Sequence, residues 1–259
     1  MIKIENLKEP NGLSKMIWEN IIKATYIAKK DIKEYYLKPP TISWGIVFPV
    51  VFTLAFLFKG GSRSVYLIPG LIALSLFFGS TSMAAASIVF ERKMGSFERL
   101  LLFPVSYVGI ALGKVLSSFA FGILSLVTTI VVVIPFILNV RIFSILLVAV
   151  LILSALMFSA FGVLIAFLIK DPTNTMLILN SVRLPMIFLC GIFIPVSSLP
   201  MYLQIVAFML PLTYSVEAIR FAIEGSFDLI PPIVSILSMI CITVLLLILS
   251  AERIKKMIP

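Results

Sequence analysis

The sequence predicts an all-α membrane protein with six transmembrane helices. An amphipathic interfacial helix precedes them, and an external re-entrant helical hairpin interrupts the chain before the last span. Three observations predict this. Of 259 residues, 61% are hydrophobic and 13% charged, against roughly 25% charged in an ordinary soluble domain. The mean hydropathy is +1.16, and a soluble fold of this size would need far more polar surface. Uncharged apolar stretches recur at about the twenty-residue length that a hydrocarbon core demands, and basic residues gather between them.

Residues 1–40 read as a cytoplasmic or interfacial leader and 41–259 as the membrane domain. The leader has helical periodicity over 13–37. On a wheel of about 100° per residue, Leu13, Ile21, Ala24, Ala28, Ile32 and Tyr35 fall within roughly 60° of Ile17. Lys15, Lys23, Lys29, Lys30 and Lys33 fall opposite. A helix with one basic and one apolar face is expected to lie along a membrane surface. Packing on a partner is the alternative. Pro39-Pro40 is expected to end it.

Spans are expected at about 42–58, 67–90, 108–138, 142–169, 176–196 and 230–250. Backbone groups in lipid must be satisfied internally, which forces helices. Lys and Arg concentrate in the leader, in the 91–106 loop (Arg92, Lys93, Arg99), at Lys170 and in the tail (Arg253, Lys255, Lys256). The other side holds Lys59, Arg63, Arg141 and Arg220. That asymmetry puts both termini in the cytoplasm, and the plasma membrane is the expected location. Between the last two spans, the short apolar run Met201–Leu210 is bracketed by Pro200 and Pro211. A mixed segment carrying Glu217 and Arg220 follows. Residues 197–224 therefore read as an external hairpin, too interrupted to cross.

Several chemistries are excluded. The net charge of +9 could suit nucleic acid, but the basic residues flank apolar runs, so membrane lipid is the expected partner and nucleic acid is not. There is no His, and Cys190 and Cys241 stand apart without metal-ligand spacing. No metal site and no catalytic residue is expected. Gly109 to Val115 approaches a phosphate-binding loop but is one residue short and lacks the Ser/Thr that holds magnesium. Gly109, Gly113 and Ser117 read instead as a small-residue stripe for helix packing, with Lys114 snorkelling outward. Arg183 lies about two turns into the fifth span, where anchoring at the interface and a contact in the protein interior are both open. No Asp or Glu falls within the six spans, which disfavours an ion-driven carrier. An intramembrane enzyme such as a lipid transferase lacks the residues it would need.

Residues 91–106 form the most densely charged internal stretch. Met94, Phe97, Leu100, Leu101 and Phe103 recur among the charges. This suits either a solvated loop or a short amphipathic helix docked on a cytoplasmic partner, with Ser96 as its cap.

Two motifs resolve the ambiguity by resemblance. Glu91-Arg92-x-x-Gly95-Ser96-x-Glu98-x-Leu100-x-x-x-Pro104 resembles the E-R-x-x-G-T-x-E-x-L-x-x-x-P loop of type-2 ATP-binding-cassette (ABC) transporter permeases. Gly191-x-x-x-Pro195, Leu199-Pro200, Leu203-Gln204 and Pro211-Leu-Thr-Tyr214 are similar to that family's G-x-x-x-P…L-P-x-x-L-Q…P-L-T-Y signature, with Ala218-x-Arg220 following. Ser96 stands for the usual Thr and Cys190 for a common Ser. The resemblance implies the membrane subunit of an exporter, paired with a second permease copy (homodimer or close paralogue) and with a separate ABC ATPase that carries ATP and Mg. No cofactor is expected on this chain. It implies ATPase coupling through Glu91, Arg92, Gly95, Ser96, Phe97, Glu98, Leu100 and Pro104, with a second coupling loop at Lys170 and Asp171. Gly191, Pro195, Pro200, Pro211, Tyr214, Glu217 and Arg220 would build the external gate. Ser80, Thr81, Thr128 and Arg183 are candidates for lining a path, although helix packing accounts for the hydroxyls equally well. The substrate is not specified.

Overall fold

The computed structural model describes residues 12–60, 64–103, 105–133 and 144–257, and their regular secondary structure is entirely helical. The expected end of the third span (134–138) and start of the fourth (142–143) lie outside these residues, as does Pro104.

Helix α1 runs Gly12–Tyr35. It stops before the proline pair. Pro39 and Pro40 open α2 (Pro39–Ile42) at its first helical positions, where a missing N–H costs nothing. A π-helical turn at Ser43–Val47 leads into α3 (Phe48–Gly60). Helix α4 (Ser64–Lys93) is followed by a turn and the six-residue α5 (Ser96–Leu101). Helices α6 (Tyr107–Val133) and α7 (Ile145–Leu168) come next. After them are α8 (Thr175–Leu189), α9 (Met201–Met209), α10 (Pro211–Glu224) and α11 (Pro232–Lys255).

Among the described residues, five stretches are long and apolar enough to cross a membrane: Pro39–Phe56, Tyr66–Lys93, Tyr107–Val132, Ile145–Leu168 and Pro232–Lys255. The fifth expected span, 176–196, does not form as one helix. Helix α8 has 15 residues, about 22 Å at 1.5 Å per residue, short of a hydrocarbon core of about 30 Å. It ends at Leu189 because Gly191 adopts φ +79°, a left-handed conformation that turns the chain. Of the other described helices, α9 and α10 are long and apolar enough only as a pair, and these meet at 90°, so a sixth crossing falls either to that bent pair or to α8 with the turn after it.

Helix α4 is the hub. It is enclosed along nearly its whole length by α3, α6, α7, α8 and α10. Leu71, Leu74, Phe77 and Phe78 are fully buried, and Phe77 meets Phe158 of α7 edge-on at 5.0 Å. Small residues allow these approaches. A Cβ on Gly162 of α7 would stand 2.8 Å from the Thr81 backbone, and the surface of Gly122 on α6 is filled by the Ser80 hydroxyl. By contrast, α11 and the α2–α3 segment are peripheral, with much of their apolar surface uncovered.

Helix α1 packs on α6. Ala24, Ile27, Ala28 and Tyr35 are buried there, so much of the stripe expected to enter lipid faces protein instead. Ile21 and Ile32 remain exposed on its flank. The small-residue stripe of α6 is what receives the leader. A Cβ on Gly113 would lie 2.8 Å from Ile27 Cβ and 3.0 Å from the Ala24 carbonyl. Ser106 caps α6 by accepting from Gly109 N–H at 3.0 Å, and its hydroxyl reaches Asn20 of α1 at 2.8 Å.

Candidate functional site

Polar groups collect at both ends of α4. At the α5 end, four charges from three helices meet. Lys114 of α6 pairs with Asp31 of α1 at 2.8 Å and with Glu91 of α4 at 2.5 Å. Lys30 of α1 pairs with Glu91 and lies 3.3 Å from Asp31. Ser117 adds a hydroxyl 3.3 Å from Asp31. Two ammonium groups face two carboxylates, and Asp31, Glu91 and Lys114 have no solvent exposure. Burial pushes the Asp31 carboxyl above its ordinary range, against the pull of Lys114. Burial also weakens the Lys30 ammonium, but Glu91 and Asp31 outweigh it and hold its pKa above the usual value.

This corrects two expectations. Lys114 does not snorkel out, because its two acids are inside. Glu91, expected among groups facing an ATPase, points inward and binds the leader and α6 to α4. Asp31 was missed, although a signal existed: on the helical wheel it falls about 40° from Ile17, an acid on the apolar face.

The rest of the first motif divides between scaffold and surface. Helix α4 continues through Lys93, so Arg92 belongs to its last turn. Gly95 then takes φ 66°, reversing the chain into α5. Ser96 is not the cap. It is the first helical residue, and its hydroxyl donates to the Glu91 carbonyl at 3.3 Å. Phe97 is buried and meets Phe167 of α7 at a tilt, ring centres 5.4 Å apart, and Leu100 packs beside the same cluster. Arg92 donates to the carbonyls of Ile169 (2.6 Å) and Lys170, which ties the second expected coupling loop to the first. Asp171 caps that loop, accepting from Thr173 N–H at 2.8 Å. Lys93, Met94, Glu98, Arg99, Leu102 and Phe103 remain exposed on the outer rim.

At the other end of α4 the second motif forms a connected structure. Arg220 bonds Glu217 at 3.1 Å and the Gly191 carbonyl at 2.7 Å, and lies over the Tyr66 ring at 4.5 Å. The other oxygen of Glu217 accepts from Asp228 N–H at 2.7 Å, and the Asp228 side chain accepts from Ser197 N–H at 2.8 Å. Gln204 donates to the Leu199 carbonyl at 2.8 Å. Tyr214 donates to the Phe208 carbonyl at 2.7 Å across the 90° corner, where Pro211 is buried at the first turn of α10. Pro195 and Pro200 precede the short helices at Val196–Ser198 and Met201–Met209. Helix α10 is not a surface element: Pro211–Ser215 contacts the bundle, and Ser215 bonds Ser154 of α7 at 2.7 Å.

The path candidates are scattered. Ser80 and Thr81 are enclosed in the crossings of α4 with α6 and α7, and Thr81 donates to the Phe77 carbonyl. Thr128 donates to the Ser125 carbonyl at 2.7 Å. These contacts are those of helix packing. Arg183 is not at an interface with solvent or headgroups. It is wholly buried, bonds Ser82 of α4 at 2.9 Å and lies 4.8 Å from the Phe78 ring centre. Among the described residues no cluster of His, Cys, Asp or Glu could hold a metal ion.

A polytopic helical bundle with these two motifs knitted into its ends defines a membrane transport component. The profile of the ABC-2 type transporter family matches residues 23–223, and the chain belongs to that family. It is also similar to the transport permease ycf38 of Cyanophora paradoxa, at 25% identity over 205 residues, covering 73% of this chain and 70% of the relative. The chain is thus a transport permease of the ABC-2 class, a membrane component rather than an enzyme in its own right.

Proposed function

We propose that this chain is the permease subunit of an ATP-driven exporter in the plasma membrane, working as a pair of copies with a separate ABC ATPase. In this reading residues 1–40 are a cytoplasmic leader and 41–259 the permease domain. Both termini are cytoplasmic, as the Lys/Arg asymmetry suggests, and the even number of crossings this needs is completed by the short α8 with the turn that follows it. ATP and Mg belong to the partner. The external gate is the structure around Gly191, Glu217 and Arg220, with α9 and α10 re-entering from outside.

One observation carries the coupling assignment: α5 presents an exposed charged and apolar rim on a rigid base. The base is fixed by Phe97 on Phe167, by Arg92 on Ile169 and Lys170, and by Glu91 on Lys30 and Lys114. A partner pressing on Met94, Glu98, Arg99 and Phe103 would move α4, α7 and the leader together. That is the requirement for driving a shift between inward- and outward-facing states. The groove between α1 and the α5 turn, about 340 Å³ and lined by Tyr26, Ile27, Leu100, Phe103 and Val105, adjoins the same rim.

The test is co-purification with an ABC ATPase of the same organism, co-expressed with this chain. The surface pair Glu98→Lys with Arg99→Glu is expected to lose the complex while leaving membrane insertion and thermal stability intact. Undiminished complex formation by that pair would place docking elsewhere.

A further inference from the structure

Every buried charge but one is compensated among the described residues. Asp31 and Glu91 face Lys30 and Lys114, and Glu217 faces Arg220. Arg183 faces no carboxylate. Its position makes this costly. Tyr66 and Glu91 mark the two polar ends of α4, and Phe78, under the Arg183 guanidinium, is midway between them. At 1.5 Å per residue each end is about 20 Å away. An arginine wholly enclosed against the middle of the spanning α4 is expensive to keep, and such residues mark functional sites.

The unsatisfied atoms have a shape. Nη1 is held by Ser82, and the guanidinium face is held by Phe78. Nε and Nη2 have no hydrogen-bond partner. Those two nitrogens form one edge of the guanidinium, and their N–H bonds run parallel. This is the fork that binds a carboxylate or phosphate through two oxygens. One turn earlier on α8, the Asn180 side-chain oxygen is also buried and unpartnered. A water would satisfy the donors but leave the charge.

We infer that Arg183 is an oxyanion-recognition residue, taking a phosphate or carboxylate group of the transported substrate on its Nε–Nη2 edge. The inference rests on the permease reading and narrows the substrate class to molecules bearing such a group. Ser82 and Phe78 act as positioning residues that aim the fork. In this conformation the fork is shut between α8 and α4. The opposite face of α8 (Leu177, Ile178, Val182, Leu184, Phe188) is uncovered. Separation of α8 from α4, sampled by the permease itself, opens the fork to the path, and an anion that binds the open form stabilises it by mass action.

The test uses the purified full chain in lipid nanodiscs, without ATPase, so its outcome is independent of the docking assay. Melting is followed against dodecyl phosphate, inorganic phosphate and dodecyl maltoside. Wild type is expected to be stabilised saturably by dodecyl phosphate and not by the neutral maltoside. Arg183→Lys, which keeps the charge but loses the fork, should weaken that response about tenfold or more. Arg183→Met should abolish it. A response to inorganic phosphate as well would identify a soluble anion as the source, and a response to dodecyl phosphate alone a lipid-like one; both support the proposal. Because Arg183→Met removes an uncompensated charge, its melting temperature without anion should be no lower than that of wild type. The proposal is overturned if wild type ignores both phosphates, if Arg183→Met responds as wild type does, or if Arg183→Met alone melts well below wild type.

Discussion

Replacing Lys114 by Met is the sharpest test of how the leader is held. The substitution keeps the stem volume and removes one ammonium. Lys114 contributes two ion pairs, at 2.8 Å to Asp31 and 2.5 Å to Glu91, with no solvent contact on any of the three side chains. Without it, two buried carboxylates share Lys30, whose side chain is 37% exposed and screened accordingly. Breaking a buried ion pair by removing one partner costs about 3–5 kcal/mol, because it strands a charge. The expected loss for Lys114→Met is in that range. Adding Asp31→Leu restores one carboxylate to one ammonium, so the double variant should recover much of the loss rather than deepen it. Unfolding in SDS titrations of the four-member cycle, read by tryptophan fluorescence and circular dichroism, measures both quantities. The reasoning is refuted if Lys114→Met costs less than about 1 kcal/mol, or if the two substitutions add as independent sites do.

Two further outcomes follow from close approaches. Gly113→Val puts branched carbon where α1 crosses α6 at 2.8 Å from Ile27; it should lift the leader, raising protease cleavage within 20–35 while the remaining spans stay protected. Gly191→Ala imposes a side chain at φ +79°, with Val196 3.1 Å from the new carbon. It should cost about 1–2 kcal/mol in the same unfolding assay, and loosen the loop that Arg220 clamps, seen as faster hydrogen exchange over 191–200.

Much of the architecture was legible because hydropathy is a property of consecutive residues. Uncharged runs of helical length fixed where α4, α6, α7 and α11 lie, and a wheel of the leader found its periodicity. The two motifs were legible as well, and the fold explains their spacing: Gly95 and Gly191 are required where the backbone turns left-handed, and Arg220 must reach back to the Gly191 carbonyl. The end of the helix at Leu189, inside the fifth expected span, was not legible because an apolar run reads the same whether or not a positive φ breaks it.

Charge was legible in amount but not in role. The sequence by itself determined that this chain lives in a membrane, which residues lie near its ends, and that it carries the ABC-2 motifs. Only tertiary structure decided that Glu91 faces inward, that Lys114 is paired rather than snorkelling, and that Arg183 is the buried charge among the described residues without a counter-charge. The physical reason is distance along the chain. Glu91 meets Lys30 across 61 residues and Lys114 meets Asp31 across 83. An ionised group's state inside a membrane protein depends on that partner, not on its neighbours in sequence.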